Sequence, residues 1–134
     1  MKKTGGEIEK DLYTLIKNSA VKTAITGSLY RQGMRPINSL TEDAVVSFLA
    51  GIDGDIQEGV LNLNIYVPNI EVSGQKVKNI TRCTELEVIV NTFIQSLIAG
   101  EYVFELDKMI QTFQEAVIEQ HFINCRIKFR LSTY

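Results

Sequence analysis

Apolar and polar residues alternate along the chain with two different periods, and the first period is helical. From Glu7 to Ser19 the apolar positions recur at helical spacing, at Ile8, Leu12, Leu15 and Ile16. Thr4 and Glu7 fit a capping box, so we predict an amphipathic helix after Thr4, with residues 1–5 frayed. The apolar run from Val21 to Ile25 fits either another helical turn or the lead-in to a strand.

The middle of the chain changes to strand patterns. The nearly continuous apolar run from Ala44 to Leu49 predicts a central strand that is covered on both faces. After a broad loop, strict alternation from Val60 to Val67 predicts a strand with one core face and one semi-polar face, ended by Pro68. Asn69 to Asn79 is polar, with Ser73-Gly74 at its centre, and is predicted to be a mobile loop.

The last third of the chain predicts a second helix and two more strands. Thr84 to Glu87 matches a capping box, and we expect Gly100 to cap the helix that begins there. The apolar stripe of this helix comprises Leu86, Ile89, Val90, Phe93, Ile94, Leu97 and Ile98. A strand from Tyr102 to Ile110 is followed by a segment that the pattern leaves ambiguous, and alternation from Ile123 to Leu131 predicts a closing strand.

These elements predict one α+β domain over residues 1–134. Two helices pack on a mostly antiparallel sheet in the order α-β-β-β-α-β-β. The chain is long enough to bury a core of ordinary size without disulfides or metals.

Charge and hydropathy limit the partners that we expect. The net charge is −2, which provides no overall positive field for a phosphate backbone, so we predict no direct sequence-specific nucleic-acid binding. No apolar run approaches the roughly 20 residues of a membrane span, and the N-terminus lacks the apolar core of a signal peptide. We therefore expect a soluble protein without a membrane partner.

The residues with the most reactive side chains do not form a catalytic or metal-binding motif. Cys83 and Cys125 lack neighbours at metal-ligand spacing and are predicted to be reduced, partly buried thiols. His121 has no nucleophile motif near it, and the glycines match no phosphate-binding loop. We predict no catalytic, cofactor-binding or metal-binding residues. The basic row Arg126, Lys128 and Arg130 is interpreted as a solvated face partnered by Glu115 or Glu119, or as a contact with nucleic acid or an acidic neighbouring subunit.

One acidic group allows an enzymatic alternative. Glu42, Asp43 and Glu58 are carboxylates of the kind that hold two metal ions for phosphodiester cleavage. A nuclease of that kind usually has a lysine soon after the second acid, whereas Glu58 precedes Gly59-Val60-Leu61. The favoured interpretation is that Glu42 and Asp43 pair with Arg31 or Arg35 across a turn or a subunit boundary.

The prediction of function, as distinct from fold, rests on a family resemblance. The residues that carry it are Gly27 to Pro36, Ser39, Glu42-Asp43, Val45-Val46, Gly59 to Pro68, His121 to Asn124 and Arg126 to Arg130. This pattern resembles small proteins encoded among bacteriophage and prophage tail genes of the Bacteroides group. The element order is similar to that of tail-terminator (tail-completion) proteins.

The resemblance implies a nonenzymatic structural protein of the virion, assembled in the cytoplasm of the bacterial host. Such a subunit forms a homo-oligomeric ring, a hexamer by analogy, and contacts tail-tube or neck proteins. A head–tail connector or neck protein is the alternative, and the metal-dependent nuclease is a lower one.

A ring subunit needs a segment that reaches its neighbour, and we predict that the arm, Gly27 to Leu40, has this role. The interface hypothesis comprises Tyr30, Arg31, Met34, Arg35, Glu42 and Asp43, since Tyr, Met and Arg are enriched in interface cores. On this hypothesis, Arg35→Glu leaves the monomer folded and blocks ring assembly.

Overall fold

The computed structural model describes residues Met1–Thr133 and confirms an α+β fold with a mostly antiparallel sheet. The helices are α1 (Gly5–Lys17), α2 (Ala20–Ala24) and α3 (Ile80–Ser96). The strands are β1 (Leu29–Arg31), β2 (Asp43–Ile52), β3 (Ile56–Pro68), β4 (Ile70–Val72), β5 (Gln75–Val77), β6 (Tyr102–Leu106), β7 (Gln111–Glu115) and β8 (Gln120–Ser132). Within Met1–Thr133, no helix is both long and apolar enough to cross a bilayer.

The main sheet has the strand order β1-β2-β3-β8-β6, and β7 pairs with the other end of β8. All of its pairings are antiparallel except β1 with β2, which is parallel. The long strands β3 and β8 form its centre, with Leu63 opposite Cys125. The alternation from Ile123 to Leu131 therefore predicted the closing strand correctly.

The helices cover one face of the sheet, and the core lies between the two layers. α1 packs on β1 and β2, whereas α3 packs on α2, β6 and β8. The core-facing side chains of β3 and β8 are almost fully buried, as in Leu61, Leu63, Ile65, Ile123 and Ile127. Burial of such side chains stabilises a fold by about 1.5–3 kcal/mol each before chain entropy is subtracted.

Within Met1–Thr133, none of the helices α1, α2 and α3 lies over the other face of the sheet, which is called the open face below. The prediction that β2 is covered on both faces is wrong: Val45 and Ser47 are half-buried, and Leu49 is exposed. β2 does lie inside the sheet, between β1 and β3. Its apolar run indicated a strand correctly but did not distinguish a covered outer face from a partly exposed one.

The N-terminal segment follows its local signals. The Thr4 side chain accepts a hydrogen bond from the Glu7 backbone, and the Glu7 carboxylate accepts one from the Thr4 backbone, so the predicted capping box is present. Lys3, within the segment predicted to be frayed, exchanges two hydrogen bonds with the Gln57 side chain. The undecided run from Val21 to Ile25 is helical as far as Ala24, within α2, whose N-cap is Ser19, and Ile25 follows in an extended conformation.

The second long helix begins and ends earlier than its sequence signals suggest. Asn79 is the N-cap and accepts a hydrogen bond from the Arg82 backbone, so the capping box predicted at Thr84 is wrong. The helix ends at Ser96, and Gly100 adopts a positive φ of 60° in the turn before β6, so it does not cap the helix. Four polar residues, Asn79, Thr81, Arg82 and Thr84, precede the apolar stripe and offer more than one cap.

Two segments that the sequence left open have defined structures. The predicted loop from Asn69 to Asn79 contains the hairpin β4–β5, whose turn residues Ser73 and Gly74 both have positive φ, as a tight two-residue turn requires. The strand predicted from Tyr102 to Ile110 ends at Leu106. The ambiguous segment after it forms β7 and a 3-10 turn at Ala116–Ile118.

Candidate functional site

The arm folds back over the start of β2 and is held there by Asp43. Arg35 Nε lies 2.9 Å from Asp43 Oδ2, and the Arg35 guanidinium stacks 4.3 Å from the centre of the Tyr66 ring. Asp43 accepts three further hydrogen bonds, from the Ser28 backbone and the hydroxyls of Ser39 and Thr41. Arg35 and Asp43 therefore form a buried ion pair within one chain.

The charged form of Asp43 is favoured although the residue is buried. Burial by itself raises the pKa of this carboxyl group, but hydrogen bonds from Ser39, Ser28 and Arg35 outweigh burial and lower the pKa below its ordinary value. Gly27 is required beside it, because a Cβ at Gly27 would overlap the Asp43 carboxylate and lie 2.5 Å from the Glu42 carbonyl oxygen. The site admits a carboxylate only because position 27 has no side chain.

Gln120, at the start of β8, extends this network. Its Oε1 accepts a hydrogen bond of 2.9 Å from Arg35 Nη2, and its Nε2 donates one of 2.8 Å to the Ser39 carbonyl. Gln120 is almost completely buried. The arm is thus attached both to β2 and to β8, through contacts that the sequence pattern did not indicate.

Glu42 points to the helical side of the molecule and pairs with Arg82 of α3. Arg82 binds both carboxylate oxygens of Glu42, at 2.7 and 2.8 Å, and also donates to the Ala24 carbonyl. The hydrogen bonds that Arg82 donates to the Glu42 carboxylate raise the pKa of Arg82 above its ordinary value. Arg82 therefore connects α3 to Glu42, just before β2, through a bidentate pair, and to α2 through Ala24.

Arg31 is also engaged within the chain. Its Nε lies 2.8 Å from Glu9 Oε2, and the other oxygen of Glu9 accepts a hydrogen bond from the Phe48 backbone. The proposed pairing of Glu42 and Asp43 with nearby arginines is therefore correct for Asp43 with Arg35, whereas Glu42 pairs with Arg82 and Arg31 with Glu9.

These contacts change how the interface hypothesis can be tested. Arg35 and Asp43 are almost wholly buried, so Arg35→Glu would place two carboxylates together in a site with little water. We expect that variant to destabilise the monomer, contrary to the expectation from sequence. Tyr30 is half-buried and Met34 is 68% exposed, so these two residues of the arm remain accessible at the surface.

A groove of about 560 Å³ lies between α1 and the edge strand β1, and we call it the α1–β1 groove. It brings three of the predicted interface residues together with the polar side of α1; its principal lining side chains are Lys10, Tyr13, Lys17, Tyr30, Arg31 and Met34. The residues of α1 were not among the predicted interface residues. The available signal was the pair Lys10 and Lys17, which are seven residues apart and so lie on one helix face.

The open face carries amides and aromatic rings at its centre. Asn124 Nδ2 donates to the side-chain oxygens of Asn62 and Asn64, at 3.2 and 2.8 Å. Next to them Phe122 lies between Tyr66 and Phe113, with ring centroids 5.6 and 5.7 Å apart. This part of the face is semi-polar, as the alternation of β3 predicted.

The basic row of β8 lies on the same face but has different partners from those expected. Arg126 Nε lies 2.8 Å from Asp107 Oδ2, although the angle leaves this buried N–H without a hydrogen-bond partner among residues 1–133. Lys128 Nζ lies 3.5 Å from Glu105. The partnership predicted with Glu115 or Glu119 is wrong, because β6 and the turn after it lie beside these basic residues, whereas Glu115 pairs with Gln120 at the far end of β8.

The three carboxylates of the nuclease alternative are not brought together. Glu58 lies opposite Ile52, nine residues along β2 from Asp43, a separation of about 30 Å at roughly 3.3 Å per residue. Glu42 and Asp43 are occupied by arginines, as described above. Among residues 1–133, no group of three or more His, Cys, Asp or Glu side chains is arranged to hold a metal ion.

The thiols and the histidine occupy structural positions. Burial raises the pKa of Cys125 to about 12 and also raises that of Cys83, so both thiols are protonated at neutral pH. Burial lowers the pKa of His121, whose Nδ1 lies 2.8 Å from the Asn69 side-chain oxygen. The neutral ring with a proton on Nδ1 satisfies that contact, which anchors β8 to the end of β3.

Comparison with known proteins gives neither a family nor a function. No family model matches the chain, and no curated protein matches it. One solved structure, which has no functional name, aligns with 96% of this chain and 93% of its own length, at 16% identity and a TM-score of 0.47.

Proposed function

We propose that this chain is a nonenzymatic structural protein of a bacteriophage tail, a tail-terminator-like subunit that acts by assembling with copies of itself. The assignment to phage tails comes from the sequence resemblance. A head–tail connector or neck protein remains the alternative, and both proposals require that the chain presents docking surfaces.

The observation that carries the proposal is the exposed apolar surface of the arm. Met34, Ile37 and Leu40 are 68, 87 and 79% exposed, although the arm itself is fixed by the buried pair of Arg35 and Asp43. Exposed large apolar residues close together on a soluble protein are typical of an interaction site. Because the arm is fixed before association, little further ordering opposes docking.

The mechanism is geometric. The helices pack on the core face of the sheet, while the arm, the edge of β1 and the open face remain available for contacts. A closed ring of such subunits at the end of a tube would cover the surface on which the next tube subunit docks, and so would stop growth. The site of assembly would be the cytoplasm of the bacterial host, and the mature location the virion.

Met34 provides the direct test of the arm. We expect Met34→Glu to leave the fold intact, because the side chain is largely exposed, and to convert an oligomer into a monomer, because it places a charge in an apolar contact. Light scattering after size exclusion gives the mass, and circular dichroism checks the fold. Ile98→Glu, at a position that is 91% exposed just after α3, is the matched control and should keep the mass of the wild type.

A folded Met34→Glu variant with the wild-type mass would show that the arm is not part of the interface. Electron microscopy of purified tail tubes mixed with the protein separates the two proposals. A terminator is expected at one tube end alone, whereas a connector also binds head proteins.

A further inference from the structure

We propose that the α1–β1 groove receives the tip of the β2–β3 hairpin from a second copy of this chain, so that subunits associate head to tail. The hairpin tip is defined as Ile52–Ile56. This inference rests on the proposed function, because it names the two surfaces that would join neighbouring subunits.

The groove combines free positive charge with aromatic and apolar surface. Within Met1–Thr133, Lys10 and Lys17 have no acidic side chain at ion-pair distance. The third cation, Arg31, is neutralised by Glu9. The uncharged lining includes Tyr13, Tyr30 and Met34, residue types that are enriched in interface cores.

The hairpin tip has the opposite character. Ile52 and Ile56 are 74 and 49% exposed, and Asp53 and Asp55 are exposed between them. Lys2 lies 3.4 Å from Asp53, but both side chains are solvated, so this pair contributes little and exchanges easily. Asp55 has no cation at ion-pair distance among residues 1–133. The tip therefore presents acidic and apolar side chains to a groove that is basic and apolar.

The tip of the same chain does not reach this groove. Arg31 pairs with Val46 in the sheet, and Ile52 lies six residues further along β2, about 20 Å away at roughly 3.3 Å per residue. Gly51 lies opposite Gly59 in the paired strands β2 and β3, and Phe129 packs against both, so the sheet pairing holds the hairpin away from the groove. Only another copy of the chain can bring this hairpin into the groove.

The two surfaces are different and do not overlap, so one subunit can use both at once. Contacts of this heterologous kind produce rings when the rotation between subunits closes. Opposite charges at the two surfaces favour this pairing over groove with groove or tip with tip, each of which would bring like charges together.

The test uses two double variants, one that reverses the charge of the groove and one that reverses the charge of the hairpin tip. The groove variant is Lys10→Glu with Lys17→Glu, and the tip variant is Ile52→Lys with Asp55→Lys; Asp53 is kept because it accepts a hydrogen bond from Gln57. The matched controls are Lys76→Glu with Lys108→Glu, and Ile98→Lys with Glu101→Lys, all at exposed positions elsewhere. Masses are measured by light scattering, and the thermal midpoint of each variant is compared with that of the wild type.

We expect both controls to keep the oligomeric mass of the wild type and each test variant to be a folded monomer. An equimolar mixture of the two test variants should form a dimer of twice 15.1 kDa and nothing larger, because it retains one intact groove and one intact tip. Folded test variants that remain oligomeric, or a mixture that remains monomeric, would overturn the head-to-tail contact. In the first case the proposed function would survive, since the wild type would still assemble; a wild type that is monomeric and does not bind tubes would overturn both.

Discussion

At the residue scale, Asp43 determines how the arm is held. Its carboxylate receives hydrogen bonds from four residues of the preceding segment, Ser28, Arg35, Ser39 and Thr41, and Gly27 leaves the space that it occupies. The sequence indicated an acid near two arginines, which was sufficient to predict an ion pair. It did not indicate which acid pairs with which arginine, because that depends on the face of the sheet to which each side chain points.

Asp43→Asn should destabilise the protein in a way that depends on pH. The substitution leaves Arg35 without its counter-charge in a buried site, so we expect a loss of about 3–5 kcal/mol in the free energy of unfolding at pH 7. Since the folded state lowers the pKa of Asp43, the stabilisation by its charge is present above pH 3.8 and is lost as the pH falls below that value. Urea unfolding at pH 7 and at low pH measures the difference.

The difference between wild type and Asp43→Asn should therefore shrink in acid. Glu71→Gln, at an exposed position on β4, is the control and should change stability by no more than about 0.5 kcal/mol. An equal loss at both pH values would show that shape, and not charge, makes Asp43 important.

At the element scale, periodicity predicted which segments form strands and long helices, and local signals predicted their ends less well. The box at Thr4 and Glu7 caps α1 as expected, whereas the similar box at Thr84 lies inside α3. The difference is physical: Asn79 offers an earlier cap, and Arg82 binds Glu42 and Ala24 from the first turn, so tertiary contacts stabilise an extra turn. Contacts between distant segments leave no periodic pattern.

The stripe of α3 should be the main helical contribution to stability. Leu86 is completely buried on α3, so Leu86→Ala should lower the free energy of unfolding by about 2–5 kcal/mol through lost burial and a residual cavity. Ile98, predicted from the stripe to be in the core, is 91% exposed because the helix ends before it, and Ile98→Ala should change stability by no more than about 0.5 kcal/mol. Denaturant unfolding of both variants tests whether α3 ends before Ile98. Similar losses in the free energy of unfolding would show that Ile98 belongs to the core.

At the scale of the whole molecule, the residues that stabilise the fold and the residues that are exposed for contacts lie in different regions. Helices cover one face of the sheet, and the open face, the arm and the hairpin tip carry exposed side chains that the core does not use. The α+β class was predictable because strand and helix periods are clear in the sequence. The α1–β1 groove was not predictable, because Lys10, Tyr13 and Lys17 come from α1 and Tyr30 from β1, and only the tertiary packing of α1 against β1 brings them together.

The proposed function is tested most directly by tube growth. Purified tail-tube protein is allowed to polymerise with and without this protein, and the lengths of the tubes are measured by electron microscopy, with Met34→Glu as the inactive control. We predict shorter tubes with a ring at one end in the presence of the wild type, and unchanged tubes with the variant. Tubes of unchanged length and bare ends at saturating wild-type protein would contradict the assignment as a tail terminator.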